Sequence, residues 1–509
     1  MKKLMVLIIF TIFTINSFSN PIVSADTLRI DGKLVLWLRA DNYGNGWNYG
    51  YFLGNRIMSL FDNYVIPTAF GGATNYTMAR QAFDQYFIVD EKYNQIAQGI
   101  VDGIEQSGVS LFSQILNDNL GFKDLLIANS IPDFTAMDDS WKDIGPGCSN
   151  LTSWGEATIN APELLGETVI SRNLDWTNNP NLINNAIIIV WAPTGPDEQR
   201  WVSFGFIGMF GALSGFNESG VATFQNMSNY VSSATGTGFY PVNLAQRNGL
   251  EKADYNLDGV CSPRDVSDAV RAHPVSSSFI IHSAGPSYLD FPAEILEIHN
   301  TFGDTIRTKI NNPEYFGDNL VATNHFRLLK PPAYCVRYQR ISDSLTTSNQ
   351  LNILRNWSVL KTAGVSINLQ TIQFIPNKNI VRFSFAEIGT PAYQIEPTEI
   401  STGTLFSLVG IDEIKKSAAV EISISPNPCK NLVSITAKFE TPTSFTCRIT
   451  NISGKIIKGF ENLNPTEKQM SVGWGTENIA NGIYFCTIGF IDPLTGNFIR
   501  ETQKIVVSK

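Results

Sequence analysis

Gly145-Pro146-Gly147-Cys148-Ser149-Asn150-Leu151-Thr152-Ser153-Trp154 and, a short way on, Gly166-Glu167-Thr168-Val169-Ile170-Ser171-Arg172-Asn173-Leu174-Asp175-Trp176 are the stretches on which the reading of this chain turns. Upstream of Cys148, Ala82-Phe83-Asp84-Gln85-Tyr86-Phe87 and the run from Tyr93 to Leu120 show helical periodicity mixed with turns, so residues 26–147 read as mostly helical. Downstream the texture becomes β-rich, as in Ala186-Ile187-Ile188-Ile189-Val190-Trp191 and Trp201-Val202-Ser203-Phe204-Gly205-Phe206. Gly, Asn and Pro turns separate these runs, and helix-like stretches intervene near Leu244 to Ala253 and Asp265 to Ala272. Alternating sheets and helices predict an α+β layered domain over residues 148–410.

Working outward, the chain turns polar near Ile411 to Lys416, and an all-β pattern starts at Glu421-Ile422-Ser423-Ile424. Residues 411–420 are the expected linker and 421–509 a small β-sandwich. At the other end Lys2 and Lys3 precede an apolar run from Leu4 to Ile15, and Val23-Ser24-Ala25 offers a small-residue cleavage site. That is a secretory leader over residues 1–25: the run is too short for a membrane span, which needs about 20 apolar residues, and no later segment approaches one.

The residues around Cys148 resemble the N-terminal-nucleophile (Ntn) cysteine amidases related to isopenicillin N acyltransferase, and more distantly penicillin V acylase, bile salt hydrolase and acid ceramidase. In that superfamily a cysteine freed at a new N-terminus is followed by an Arg-x-x-Asp strand, as Cys148 is by Arg172 and Asp175. The resemblance spans roughly residues 40–390 and implies a four-layer αββα Ntn-hydrolase core. It implies Cys148 as nucleophile, Asp175 orienting the freed α-amino group and Arg172 raising the thiolate fraction. Gly215-Phe216-Asn217-Glu218-Ser219-Gly220 resembles the family's hairpin, which places the backbone N–H of Asn226 at the oxyanion site. Thr323-Asn324-His325-Phe326 resembles the segment whose asparagine, here Asn324, donates a side-chain N–H to the oxyanion; His325 reads as structural or substrate-lining. Arg337 rather than Arg340 is the expected further active-site arginine, although Pro331-Pro332-Ala333 stands where the family has a serine-rich turn.

Elementary chemistry runs the same way. A thiol of ordinary pKa is a few per cent thiolate at neutral pH and needs a base. A free α-amino group titrates near 7.7 to 8.0, so it can accept a proton where enzymes work, and on the nucleophile's own residue its geometry is fixed covalently. Such an amine exists at Cys148 only if the Gly147–Cys148 bond is cut. Gly147, lacking Cβ, would bear the strained backbone of self-cleavage at little cost. Residues 26–147 then become a separate chain, retained or released.

Asp254-Tyr255-Asn256-Leu257-Asp258-Gly259-Val260-Cys261-Ser262-Pro263-Arg264-Asp265 matches the spacing of a calcium loop. Asp254, Asn256, Asp258, the Val260 carbonyl and Asp265 are the expected ligands of a structural Ca2+; the alternative is an Asx-rich turn. No cofactor is expected for catalysis. A formal charge of -9 without any basic cluster argues against nucleic acid as a partner. Six dispersed cysteines make no disulfide scaffold, and with no CxxC pair and four histidines a zinc site is not expected.

Ser425-Pro426-Asn427-Pro428, Asn451-Ile452-Ser453-Gly454-Lys455 and Asn481-Gly482-Ile483-Tyr484, with the lysine-flanked terminal strand, resemble the sorting domain of proteins exported by the bacterial type IX secretion system. That implies the secretion machinery as partner and a secreted or cell-surface location. The expected activity is hydrolysis of a linear amide in an N-acylated small molecule through an acyl-thioester. The alternatives are acyl transfer to an amine, which the same residues support, and a catalytically inactive surface-binding protein.

Overall fold

The computed structural model describes residues 25–134, 147–230, 235–312, 314, 316–407, 420–439, 442–451, 455–465, 468–491 and 498–509. The expected leader and linker fall almost wholly outside them. The chain divides into two compact units, Met1–Val409 and Gly410–Lys509.

The first unit opens with a hairpin, β1 (Ala25–Ile30) and β2 (Lys33–Leu38). Helices α1 (Asn42–Leu60), α2 (Ala73–Tyr86), α3 (Glu91–Gln106) and α4 (Phe122–Asn129) follow. Asp41 starts α1 by accepting the Gly44 N–H at 2.7 Å, an N-cap. Glycines let α1 and α3 touch backbone to backbone: a Cβ on Gly46 or Gly50 would lie 2.0 Å from the Ile96 or Ile100 carbonyl oxygen.

Then come β3 (Gly147–Ser153), β4 (Val169–Asp175), β5 (Ala186–Trp191), β6 (Trp201–Phe206), β7 (Ser214–Asn217) and β8 (Ala222–Met227). Helices α5 (Val242–Glu251) and α6 (Pro263–Arg271) lead to β9 (Ser278–Ala284), β10 (Ala293–His299), β11 (Gly303–Arg307) and β12 (Asn319–Ala322). Helices α7 (Val336–Thr347) and α8 (Ile353–Lys361) precede β13 (Asn368–Ile375), β14 (Ile380–Phe385) and β15 (Thr398–Ser401).

The strands form a nine-stranded sheet, β1-β2-β5-β6-β7-β8-β9-β10-β11, and a six-stranded sheet, β12-β3-β4-β13-β14-β15. The unit is therefore mixed α/β. Apolar side chains of both sheets share one core, with Val202, Phe216 and Phe224 from the larger and Ile170, Phe374 and Phe383 from the smaller. Phe216 stacks on Phe374 with ring centroids 4.4 Å apart. On its other face the larger sheet packs Leu36, Ile189 and Trp191 with Tyr49, Ile96 and Ile100 of α1 and α3. On the far side of the smaller sheet, Leu151 and Val321 meet Ile341, Val359 and Leu360 of α7 and α8.

The segment before Cys148 is not helical throughout: its first hairpin extends the larger sheet, β2 pairing parallel with β5 through Val35↔Ile188, and Phe112–Ser113 pairs antiparallel with Asp118–Asn119. Lys33-Leu34-Val35-Leu36-Trp37-Leu38 is a nearly continuous apolar run, as suits a strand buried on both faces.

In the second unit the strands are β16 (Val420–Ser425), β17 (Leu432–Phe439), β18 (Phe445–Asn451), β19 (Ile456–Leu463), β20 (Gln469–Gly475), β21 (Gly482–Ile491) and β22 (Phe498–Val507). Sheets β16-β17-β20 and β19-β18-β21-β22 enclose a core containing Val433, Ile435, Ile449, Trp474 and Ile488. It is a small β-sandwich. Among the described residues no helix is long and apolar enough to cross a membrane.

Candidate active site

Cys148 is the second residue of β3, buried, and opposite Leu174 of the antiparallel neighbour β4. Side chains alternate along a strand, so Cys148 and Asn150 share a face, and on β4 Arg172 and Leu174 point the same way. Asp175, an odd number of residues from Arg172, points to the opposite face. The Arg-x-x-Asp spacing thus divides its two charges between the faces of one strand.

Arg172 is fully buried, and its Nη2 lies 3.4 Å from Cys148 Sγ. The guanidinium is held by neutral acceptors: the Leu213 carbonyl, Ser214 Oγ at 2.6 Å and the Gln225 carbonyl at 2.6 Å. The guanidinium thus sets a buried positive charge beside the sulfur, while its other hydrogen-bond partners are neutral.

Arg337, at the start of α7, links the remaining groups. Its Nη1 donates to the Cys148 carbonyl at 2.9 Å and to Asp175 Oδ2 at 3.2 Å, and its Nη2 donates to Asn324 Oδ1 at 2.6 Å. A Cβ on Gly147 would lie 2.6 Å from Arg337 Nη1, so glycine at this position leaves room for the guanidinium.

Asp175 is fully buried and accepts from Asn368 Nδ2 at 2.8 Å. Burial pushes its carboxyl up to about 6, outweighing the pull of Arg337, Asn368 and Arg172 in the other direction. The nitrogen of Cys148 is met by Asn324: its amide donates to Asn324 Oδ1 at 2.9 Å. In the uncut chain this peptide nitrogen is met by Asn324, while Asp175 faces Asn368 and Arg337. Asn324 likewise turns its oxygen, not its nitrogen, to Cys148, because Cys148 N–H and Arg337 are both donors; its Nδ2 donates to the Met227 carbonyl at 2.7 Å.

Asn226 needs a correction. Gln225 N–H donates to the Leu213 carbonyl on the Arg172 side, whereas Ser228 N–H donates to Ser278 on the β9 side. Alternation then aims the main chain of Asn226 at β9, its register partner being Ile280, and that of Met227 at the site. The Asn226 side chain accepts from Asn150 Nδ2 at 3.2 Å and donates to the Thr323 carbonyl at 3.0 Å, tying the two sheets together. Met227 lines the cleft that holds Cys148. His325 Nε2 meets Asn229 Nδ2 at 3.2 Å.

That cleft encloses about 830 Å³ of empty space, open solvent at its mouth included. Its walls are overwhelmingly apolar. Leu60, Phe61 and Val65 come from before Cys148, and Leu174, Phe206 and Leu213 from after it. Its Tyr64 hydroxyl and Trp176 indole bind each other, at 2.6 Å.

The expected calcium ligands lie apart from this site, between α5 and α6. Asp254 accepts the N–H groups of Asp258 and Gly259, and Asp258 accepts that of Val260. Asn256 Oδ1 accepts the Asp258 N–H, and Asp265 those of Tyr255, Asn256 and Ser262. Asp265 thereby caps α6. All offer oxygen ligands, and an oxygen accepting one N–H keeps a second lone pair for a hard cation, whereas Asp265 Oδ1 already accepts two N–H groups. Among the described residues, however, no three His, Cys, Asp or Glu side chains converge to hold a metal.

Residues 423–507 match the family model described as a secretion system C-terminal sorting domain. The second unit is a sorting domain. The protein is accordingly secreted or held at the cell surface, and its partner through this unit is the secretion machinery. No curated protein matches the chain. Among solved structures, the chain is similar to a Caenorhabditis elegans ortholog of N-acylethanolamine-hydrolyzing acid amidase: 16% identity over 45% of this chain and 93% of that one, with a TM-score of 0.34. A mutant conjugated bile acid hydrolase from Clostridium perfringens aligns at 14% identity over 50% of this chain and 93% of its own, with a TM-score of 0.31. At such TM-scores any statement about chemistry has to stand on the site's own geometry.

Proposed function

We propose that this protein is an exported, self-cleaving amide hydrolase of the N-terminal-nucleophile class, with a four-layer αββα core and Cys148 as nucleophile. The observation that carries the reading is the buried Arg172 guanidinium 3.4 Å from Cys148 Sγ, with Arg337 and Asn324 on the same residue's carbonyl and amide.

In the maturation step the Cys148 thiol attacks the Gly147 carbonyl. The peptide C–N bond breaks as the C–S bond forms, leaving the nitrogen as the Cys148 α-amine. Water then hydrolyses the thioester to a Gly147 carboxylate and a free thiol. Arg337, beside Gly147 and bound to the Cys148 carbonyl, holds the junction in place.

In turnover the α-amine, held by Asn324 Oδ1, accepts the thiol proton, and the thiolate attacks the substrate carbonyl. The developing oxyanion takes the Met227 N–H and the second N–H of Asn324 Nδ2. The amine departs with the proton from the Cys148 ammonium, and water, deprotonated by the α-amine, releases the acid. The acyl group lies in the apolar cleft, which favours a hydrocarbon acyl chain.

Intact-mass measurement tests the reading. Mature wild type is expected as two chains, the second beginning at Cys148, and Cys148→Ala as one. A cut persisting in that variant in a protease-free preparation would show that an outside protease makes it.

A further inference from the structure

Two cysteines that the chemistry above does not use face each other inside the sorting unit. Cys447 on β18 and Cys486 on β21 are fully buried, with Sγ atoms 3.5 Å apart. Their strands are antiparallel neighbours; Cys447 lies opposite Ile488 and Cys486 opposite Ile449, a diagonal pair on one face. The register of β18 against β19 shifts next to Cys447, a bulge that locally relaxes the strand. Cys429 is also buried in this core, but its sulfur meets Thr476 Oγ1 at 4.0 Å, so it makes no third member of the cluster.

We infer that Cys447 and Cys486 are joined by a disulfide in the exported protein. The sorting unit takes the chain out of the cytoplasm, and disulfides form and persist in exported compartments. The oxidant required is an external protein disulfide of the thiol-exchange class, acting before the sandwich core closes. The Cys447 thiolate attacks one sulfur of that disulfide and expels its partner sulfur as a thiol, leaving a mixed disulfide. The Cys486 thiolate then attacks Cys447 Sγ and expels the second external thiol. Two protons leave Cys447 and Cys486, two electrons pass to the external disulfide, and it departs as a dithiol.

The bond would close a loop between residues 39 apart in sequence and restrict the unfolded state of the sandwich, helping a small unit keep its fold outside the cell. Its effect is confined to that unit, since Cys148, Cys261 and Cys335 lie in the other.

Thiol counting on the full chain, exported and purified without reductant, decides the matter. The protein is unfolded in guanidinium and alkylated with N-ethylmaleimide before and after reduction, and its peptides are weighed. The expected result is four of the six cysteines alkylated before reduction and all six after, with Cys447 and Cys486 the two protected. A Cys447→Ser variant, folded or not, is expected to show five alkylated cysteines both with and without reduction. Six alkylated in unreduced wild type, protection of any other pair, or a link between two chains would overturn the inference.

Discussion

Asn324 and Asn226 are both fully buried asparagines near one thiol, yet they hold different partners. Asn324 binds the nitrogen of Cys148, Arg337 and the Met227 carbonyl; Asn226 binds Asn150 and the Thr323 carbonyl. Asn324→Ala removes a donor and the hold on the amine, and is expected to lower kcat by about 10²- to 10³-fold, provided the variant is first shown to be cut. Asn226→Ala strands two buried polar groups, a loss of about 1–3 kcal/mol in stability, while kcat stays near that of wild type. Near wild-type kcat in Asn324→Ala would remove it from the oxyanion site. Asp175 supplies a pH dependence. Its carboxyl is raised from 3.8 to about 6, so the folded state binds its proton more tightly than the unfolded chain does. The stability this adds is fully present below about 3.8 and is lost as pH rises through about 6. The melting temperature of wild type, measured relative to Asp175→Asn, is therefore expected to fall between pH 4 and 6.5. A flat difference would mean that Arg337 wins over burial and the carboxyl stays ionised.

Single elements explain which parts of this arrangement were legible in the sequence. Cys148, Arg172 and Asp175 lie on two paired strands, so their spacing translates directly into proximity. Asn324 follows from a local motif, whereas Arg337 stands after Pro331-Pro332-Ala333, a turn that departs from the resembled pattern and does not by itself separate it from Arg340. The main-chain direction of Met227 was hidden because telling it from that of Asn226 depends on strand register, where a slip of one residue exchanges the two faces. Asn368 was hidden because β13 reaches β4 only through the fold, almost two hundred residues later. The parallel pairing of β2 with β5 joins segments about 150 residues apart, and no local pattern announces it. The α5–α6 loop is the reverse case: its acidic spacing was plain, while the structure shows the same oxygens serving as turn and cap acceptors. If the loop also takes calcium, millimolar calcium is expected to raise the melting temperature of wild type by several degrees and to leave that of Asp258→Ala unmoved. Equal shifts in the two proteins would make it a plain turn.

At the scale of the whole molecule, the unit that carries the thiol and the unit that carries the address have separate cores. The proposed cut at Gly147–Cys148 falls inside the first unit, not between the two. It would sever one covalent bond and leave everything else that joins residues 25–134 to the rest. That connection is extensive: β2 hydrogen-bonds along β5, and α1 and α3 cover a face of the larger sheet with Tyr49, Leu53, Ile96 and Ile100. The fully buried Asp133 accepts the Val242 N–H at the start of α5 and the Ser276 hydroxyl at 3.2 Å. Releasing the segment would return these apolar side chains to water at about 25 cal/mol per Å², with no compensating contact. It would also strip Leu60, Phe61 and Val65 from the wall of the cleft beside Cys148. The two chains of the mature protein are therefore expected to co-elute in gel filtration and to separate only in denaturant. A second chain refolded alone is expected to lose amide hydrolysis even though it carries Cys148, Arg172, Asp175, Asn324 and Arg337. If that chain alone kept wild-type kcat and KM on an apolar N-acyl amide, the earlier segment would be a propeptide with no part in the cleft.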